Sequence, residues 1–365
     1  MSRLCNRAPA LFWLAAAAVF LFGLPVGAAS VPFEPLPPRP GGLVAPAPSV
    51  SAPSWVLFDE SADWLIATHD PDAARPLAST TKMMTALVAA ESSTFDELVT
   101  VSANAAEAGE AEIGLVAGEI IPMGDLVSAI LVRSANDAAE AIAEHIGGSI
   151  EGFAALMNQK AEDMGLTSSH FVNPHGLDAP EHFSSAADLL QIAREVMANP
   201  QLAAMVKSTS IDFPTAPDGT RRGGPTTNSL LESYEGAVGV KTGFTFQASL
   251  VLAAAAERDG RLLLAVVMGS EGAGGHFADA TALLDYGFAE AAVHESPQDS
   301  LARTRLEQAA RIETLTWLAA SGLLAPDTAP ATRTEVFNRV PAQLPGWREA
   351  FWWAPRYWTW LSGGR

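Results

Sequence analysis

The spacing of apolar positions changes along this chain, and each change marks a different element. Leu11 to Leu24 is a continuous apolar run behind Arg3 and Arg7, followed by the small residues Val26-Gly27-Ala28-Ala29-Ser30. A positive start, an apolar centre and a small-residue exit predict a secretory signal peptide over residues 1–29, cleaved after Ala28 or Ala29. The run is short for a spanning helix, which favours cleavage over an uncleaved anchor. Residues 30–53 are dense in proline and predict an extended tether rather than core. Trp55-Val56-Leu57-Phe58 and Trp64-Leu65-Ile66-Ala67-Thr68 then flank the polar stretch Asp59–Asp63, the pattern of a β-hairpin.

Helical spacing follows. Thr81 to Glu91 is rich in Met, Ala and Leu without a breaker, so a buried helix is expected from Ser79 to Glu91. Residues 95–123 hold no steady period and include an exposed loop, Gly109–Gly118. From Leu126 to Ile146 the helical period returns, interrupted at Arg133-Ser134-Ala135-Asn136-Asp137. These are poor helix formers that suit a turn or a fresh N-cap, with polar side chains facing a cleft. Phe153–Met164 is a further helix, stopped at Gly165. Thr167–Ser184 is irregular, and Ser184 or Ser185 caps a helix that runs to Met197 and ends at Asn199-Pro200. Val238–Thr245, Ser249–Ala256 and Leu262–Gly269 return to strand character, the last two joined by the turn Arg258–Arg261. Ala278–Phe288 closes as a helix on the sheet. Strands, a helical block, strands and a final helix make residues 54–290 an α+β or α/β domain with an antiparallel sheet.

Residues 291–365 have another texture. Ser300–Leu324 predicts one helix, Pro326–Pro330 a linker, and Trp347–Trp360 an aromatic-dense end too short and too charged to span a bilayer. Trp and Tyr beside Arg348 and Arg356 fit a membrane interface, and packing on an apolar groove fits equally.

Composition narrows the classes. With 41 Asp+Glu against 22 Lys+Arg and no basic run interleaved with aromatics, a nucleic-acid surface is excluded. The one cysteine, Cys5, lies in the predicted signal segment, so the mature chain has neither disulfide nor thiol nucleophile. His170, His175 and His182 match no common zinc spacing and read as loop residues, so neither metal nor cofactor is expected. Ser79 and Lys82 remain. Three apart on a helix, they share a face, and a desolvated lysine can take the proton of a serine hydroxyl.

Alone that pair is weak, but Ser134-Ala135-Asn136 and Lys241-Thr242-Gly243 follow it in order. Together they form the motif set of the acyl-serine penicillin-recognising enzymes. Ala78–Ala86, Ser134–Ala139, Asn173-Pro174-His175-Gly176-Leu177, Gly239–Thr245 and Leu283–Phe288 resemble the low-molecular-mass D-alanyl-D-alanine carboxypeptidases over residues 54–290. The resemblance implies a β-lactamase/transpeptidase-like fold, an antiparallel sheet flanked by helices with a mostly helical block between the strands. It implies that Ser79 attacks the bond between two D-alanines of a peptidoglycan stem peptide, with Lys82 as base. Ser134 and Lys241 would relay a proton to the leaving amine, and Asn136 would orient the substrate amide. Thr242 would bind the terminal carboxylate, Gly243 would admit the substrate backbone, and the N–H groups of Ser79 and Phe244 would hold the oxyanion. β-Lactams become acylating inhibitors, and the expected location is the periplasm, peripheral to the inner membrane if the tail binds it.

Two departures stand out. The family usually places a carboxylate-binding arginine where this chain has His276, which is mostly neutral near pH 7 and makes no bidentate guanidinium pair. Arg221, Arg222 or another arginine could compensate. The tail also lacks the strand alternation of the β-rich domain that many relatives carry. A D,D-endopeptidase on the same scaffold and a catalytically silent peptidoglycan-binding protein are the competing readings. A β-lactamase is disfavoured because no Glu-x-x-Leu-Asn-like loop lies between Asn136 and Lys241.

Overall fold

The computed structural model describes residues 45–294. The predicted signal segment, most of the tether and the tail from residue 295 lie outside the described residues. Strands β1 (Ser54–Asp59) and β2 (Trp64–His69) form the expected antiparallel hairpin. One turn of 3-10 helix, Ala78–Thr80, leads into α1 (Thr81–Ser92). A small ribbon of β3 (Leu98–Thr100) and β4 (Ile120–Pro122) precedes α2 (Met123–Ser128), which ends in a wide π-type turn, Ala129–Arg133. Helices α3 (Asn136–Gly147) and α4 (Ile150–Asp163) come next. Beyond the irregular stretch lie α5 (Ala186–Ala198) and α6 (Pro200–Val206). A second ribbon, β5 (Ser210–Phe213) with β6 (Arg222–Pro225), and the short α7 (Leu230–Ser233) follow. The chain closes with β7 (Ala237–Thr245), β8 (Ser249–Arg258), β9 (Arg261–Ser270) and α8 (Gly275–His294).

The main sheet has five strands in the order β2-β1-β9-β8-β7, every neighbour antiparallel. The helical block is therefore inserted in sequence between β2 and β7, as the alternation of patterns predicts. Period-2 geometry sorts side chains onto two faces. Val56, Phe58, Val251, Ala253 and Val266 face the helical block, while Trp55, Leu57, Leu252 and Val267 face α8 through Ala280, Leu283 and Leu284. Because both faces are covered, β8 and β9 read as continuous apolar runs rather than alternating ones. Each fully buried Leu or Val there contributes about 1.5–3 kcal/mol.

Helix starts follow local chemistry. Ser149 Oγ accepts from Gly152 N (3.0 Å) and Ser185 Oγ accepts from Asp188 N (3.2 Å). Asn199-Pro200, read as a stop, is also a start: Asn199 Oδ1 accepts from Gln201 N and Leu202 N, and Pro200 opens α6. Residues 45–53 correct the tether as well. Ser51 N, Ser51 Oγ and Ala52 N all donate to the Asp279 carboxylate at 2.7–3.0 Å, and Tyr286 Oη donates to Ala45 O. Extended proline-rich backbone keeps free N–H and C=O groups, which here are spent on α8. Among the described residues no helix is long and apolar enough to cross a membrane.

Candidate active site

β7 ends the sheet, so one of its edges is unpaired by other strands, and the turn Ala78–Thr80 and the end of α2 pack against it. Ser79 lies in that 3-10 turn rather than inside α1, a correction to the expected helix. Ala78 just before it has φ 49°, a left-handed conformation that costs a non-glycine residue about 1–2 kcal/mol. Its carbonyl accepts from Thr81 Oγ1 (2.8 Å). His182 Nδ1 accepts from Val172 N (3.0 Å), which leaves the ring proton on Nε2, 2.9 Å from Thr81 Oγ1. Burial, then the charges of His175 and His170, pulls His182 down to about 4, so the ring is neutral at ordinary pH. The turn is thus locked from behind by a hydrogen-bonded chain.

Lys82, fully buried in α1, places Nζ 3.0 Å from Ser79 Oγ. It also donates to Asn136 Oδ1 and to the carbonyl of His175, both at 2.7 Å. Burial, then the charge of Lys241, holds it well below the usual lysine range, against opposing pulls from Glu110 and Asp137. A hydroxyl beside a buried amine that readily loses its proton is the arrangement of a base-activated nucleophile.

The interruption after α2 supplies the next group. Ser134 closes the π-type turn with φ 61°, which swings its side chain into the cleft instead of along a helix. Its Oγ accepts from Lys241 Nζ at 3.0 Å, and Nζ also donates to Thr242 O at 2.9 Å. Burial brings Lys241 down to about 7. Asn136 is clamped, its N–H on Ala111 O and its Nδ2 on Gly109 O (3.1 Å). Asp137 fixes the same loop by accepting from the N–H groups of Ile113, Gly114 and Leu115 at 2.9–3.1 Å.

Gly243 is required by the protein itself. A Cβ there would lie 2.9 Å from Ser79 N, 3.0 Å from Ala78 Cβ and 3.2 Å from Thr80 N. Beside the room for substrate expected from the resemblance, the close approach of β7 to the Ser79 turn gives a reason of its own. Thr242 Oγ1 lies 3.0 Å from Thr227 Oγ1, a partner invisible in the sequence patterns. Phe244 is 58% exposed and meets the 97% exposed Phe246 edge-on. The turn they occupy is tied down by Asp178, which accepts from Thr245 Oγ1 (2.7 Å) and Gln247 N (3.2 Å).

His276 stands apart. It is the second residue of α8, 7% exposed, with Nδ1 unpartnered, and burial pulls it down to about 4. None of its described contacts joins the cluster around Ser79. Nor does Arg222 compensate: its guanidinium is spent on Glu119, Pro214 O and Gly114 O at 2.7–2.9 Å. The loop histidines also separate, His170 onto Glu181 O, His182 onto Thr81 and His175 beside Glu140.

Known proteins resemble this chain in sequence and fold. Residues 43–272 match the sequence model of the peptidase family described as D-alanyl-D-alanine carboxypeptidase. A D-alanyl-D-alanine carboxypeptidase of Mycobacterium tuberculosis is 35% identical over 256 residues, 69% of this chain and 87% of that protein. One from Escherichia coli is 33% identical over 286 residues, 74% of this chain and 70% of that protein. Among solved structures, the Streptomyces K15 DD-transpeptidase superposes with TM-score 0.64 at 28% identity, covering 67% of this chain and 100% of that one. A Mycobacterium tuberculosis D-alanyl-D-alanine carboxypeptidase also gives 0.64, at 33% identity over 69% of this chain and 96% of that one.

Proposed function

The chain belongs to the D-alanyl-D-alanine carboxypeptidase family of serine-type hydrolases, and we propose that it releases the terminal D-alanine of peptidoglycan stem pentapeptides through an acyl-Ser79 intermediate. The observation that carries the residue assignment is the 3.0 Å approach of the buried Lys82 amine to Ser79 Oγ. Neutral Lys82 takes the Ser79 proton as Oγ bonds to the carbonyl carbon between the two D-alanines. The N–H groups of Ser79 and Phe244 hold the oxyanion. When the C–N bond breaks, Ser134 gives its proton to the departing amine and is reprotonated by Lys241. Water then hydrolyses the ester and frees Ser79. One Nδ2 hydrogen of Asn136 is left for the substrate, since Oδ1 is held by Lys82 and the other hydrogen by Gly109 O. Thr242, with Thr227 beside it, receives the terminal carboxylate. β-Lactams enter as substrate mimics that stay attached at Ser79.

His276 favours a second reading. A neutral, buried ring offers no charge to a free carboxylate, which suits D,D-endopeptidase cleavage of cross-links on the same scaffold. A peptidoglycan substrate supports action outside the cytoplasm, and the proposed compartment is the periplasm. A leader over residues 1–29, a catalytic domain over 54–290 and a Trp347–Trp360 membrane contact complete the proposal. Labelled penicillin and a stem pentapeptide test it together. Label on Ser79 with D-alanine release is expected; Ser79→Ala should abolish both. No label at Ser79 refutes the acyl-serine reading. Label without D-alanine release but with cleavage of a cross-linked dimer selects the endopeptidase.

A further inference from the structure

We infer that Glu140, acting through the imidazole of His175, is a positioning residue that aims the lone pair of Lys82 at Ser79; the inference rests on the reading of Lys82 as the base. A neutral lysine amine has two hydrogens and one lone pair. Here two acceptors, Asn136 Oδ1 and His175 O, each lie 2.7 Å from Lys82 Nζ. When both are in place they engage both hydrogens, and the lone pair has only Ser79 Oγ to face, 3.0 Å away. Loss of either acceptor frees the amine to rotate. Asn136 is held by two backbone carbonyls. The His175 carbonyl belongs to a loop, and what fixes that loop decides where the lone pair points.

Three contacts do so. Asn173 Oδ1 accepts from the N–H groups of His175 (3.3 Å) and Gly176 (2.7 Å), turning the chain tightly. Gly176 lies so close to the nucleophile turn that a Cβ would fall 1.9 Å from Ala78 O. The imidazole supplies the third. Its Nδ1 accepts from Leu177 N at 3.2 Å, which puts the ring proton on Nε2, and Nε2 lies 3.5 Å from Glu140 Oε1. Both side chains are nearly enclosed, His175 10% and Glu140 13% exposed. Glu140 sits one helical turn after Asn136 on α3, so the residue that takes one Lys82 hydrogen and the residue that braces the other acceptor share one helix face. The second oxygen of Glu140 accepts from Asn104 Nδ2 at 3.0 Å, which keeps the carboxylate from swinging away.

The test compares Glu140→Ala and Glu140→Gln with wild type, using labelled penicillin and the stem pentapeptide. The acylation constant is expressed per titrated active site. Glu140→Ala should lower that constant and kcat about 10–100-fold, the loss expected from misplacing a catalytic group by roughly 1 Å. KM should stay within about twofold, because Glu140 touches no substrate. Glu140→Gln keeps an oxygen of the same reach beside Nε2 and should recover most of the rate. A wild-type constant for Glu140→Ala overturns the inference, as does a Gln variant as slow as the Ala variant. Should Glu140→Ala not fold, Asn104→Ala releases the carboxylate from its second anchor. A severalfold slower acylation is then expected, and an unchanged constant overturns the inference. Absence of labelling in the wild type would instead strike the parent reading of Ser79 and Lys82.

Discussion

Adding a single methyl group at Gly243 should slow chemistry more than it unfolds the protein. Gly243 lies inside β7, and its φ is not left-handed, so alanine meets no backbone strain there. The obstacle is contact. The new Cβ would sit 2.9 Å from Ser79 N, 3.0 Å from Ala78 Cβ and 3.2 Å from Thr80 N, all fixed atoms with no side-chain rotation to relieve them. Ordinary carbon contacts begin near 3.5 Å, so a separation of roughly 0.5 Å or more must open. β7 is paired with β8 along its length, whereas the opposing element is one 3-10 turn. The turn should therefore yield, taking Ser79 with it and stretching the 3.0 Å link to Lys82 beyond hydrogen-bond range.

Overpacking of this kind costs about 1–3 kcal/mol. For a domain of this size each kcal/mol lowers Tm by about 2–4 °C. The displaced nucleophile should lose about 10–100-fold in acylation rate. Stopped-flow acylation with labelled penicillin, alongside calorimetric melting of Gly243→Ala, measures both. An acylation constant within threefold of wild type would refute the steric argument, whatever happens to Tm.

Other expectations follow from the same geometry. Burial brings Lys241 down to about 7, so in the proposed relay it can donate a proton only below that pH, while Lys82 must be neutral to act as base; kcat/KM should be bell-shaped with an alkaline limb starting about pH 7, and a profile still flat or rising at pH 9 would remove Lys241 from the relay. Asp137→Ala leaves the N–H groups of Ile113, Gly114 and Leu115 without their shared acceptor; Ile113 and Leu115 are buried, so a loss of about 2 kcal/mol or more, at about 1–3 kcal/mol per orphaned buried donor, should appear in denaturant titration. His276→Arg restores a cation at the start of α8 and should raise kcat/KM for the pentapeptide about tenfold, a charge-assisted bond of ~1.4 kcal/mol; unchanged kinetics would show that other groups hold the carboxylate.

The sheet, the helical block and most of the side chains that meet at Ser79 were legible in the sequence, because each is carried by residue type and spacing. The β8–β9 hairpin and the break at Arg133–Asp137 are examples. Features set by tertiary contact were not legible. The apolar run after Thr81 predicts a helix correctly, but nothing in it says that Ser79 stays outside. That depends on the left-handed Ala78 and on His182, about a hundred residues away in the chain. The His175 carbonyl that holds Lys82 is a backbone group, so its role leaves no trace in side-chain chemistry. The two ribbons, β3–β4 and β5–β6, are too short to show a period. Asn199-Pro200 carries the same residues whether it ends one helix or begins the next.

The site divides into a rigid part and an adjustable one. Ala78 and Ser134 both hold left-handed conformations next to or at reacting groups, and such strain persists only where the surroundings over-determine it. Here the surroundings are buried: Thr81 and His182 behind one, Lys241 across from the other. The end proposed to receive the departing residue is built differently, from the hydroxyls of Thr242 and Thr227 and the exposed Phe244, with the uncharged His276 apart from them at the start of α8. His276 is itself placed by α8, whose first turn is fastened through Asp279 to Ser51 and Ala52. Substitutions at Thr227 or His276 can therefore change which peptide end is preferred without moving Ser79 against Lys82. Selectivity between a terminal D-alanine and a cross-link should accordingly shift through KM for each substrate, with the acylation constant per bound molecule nearly constant.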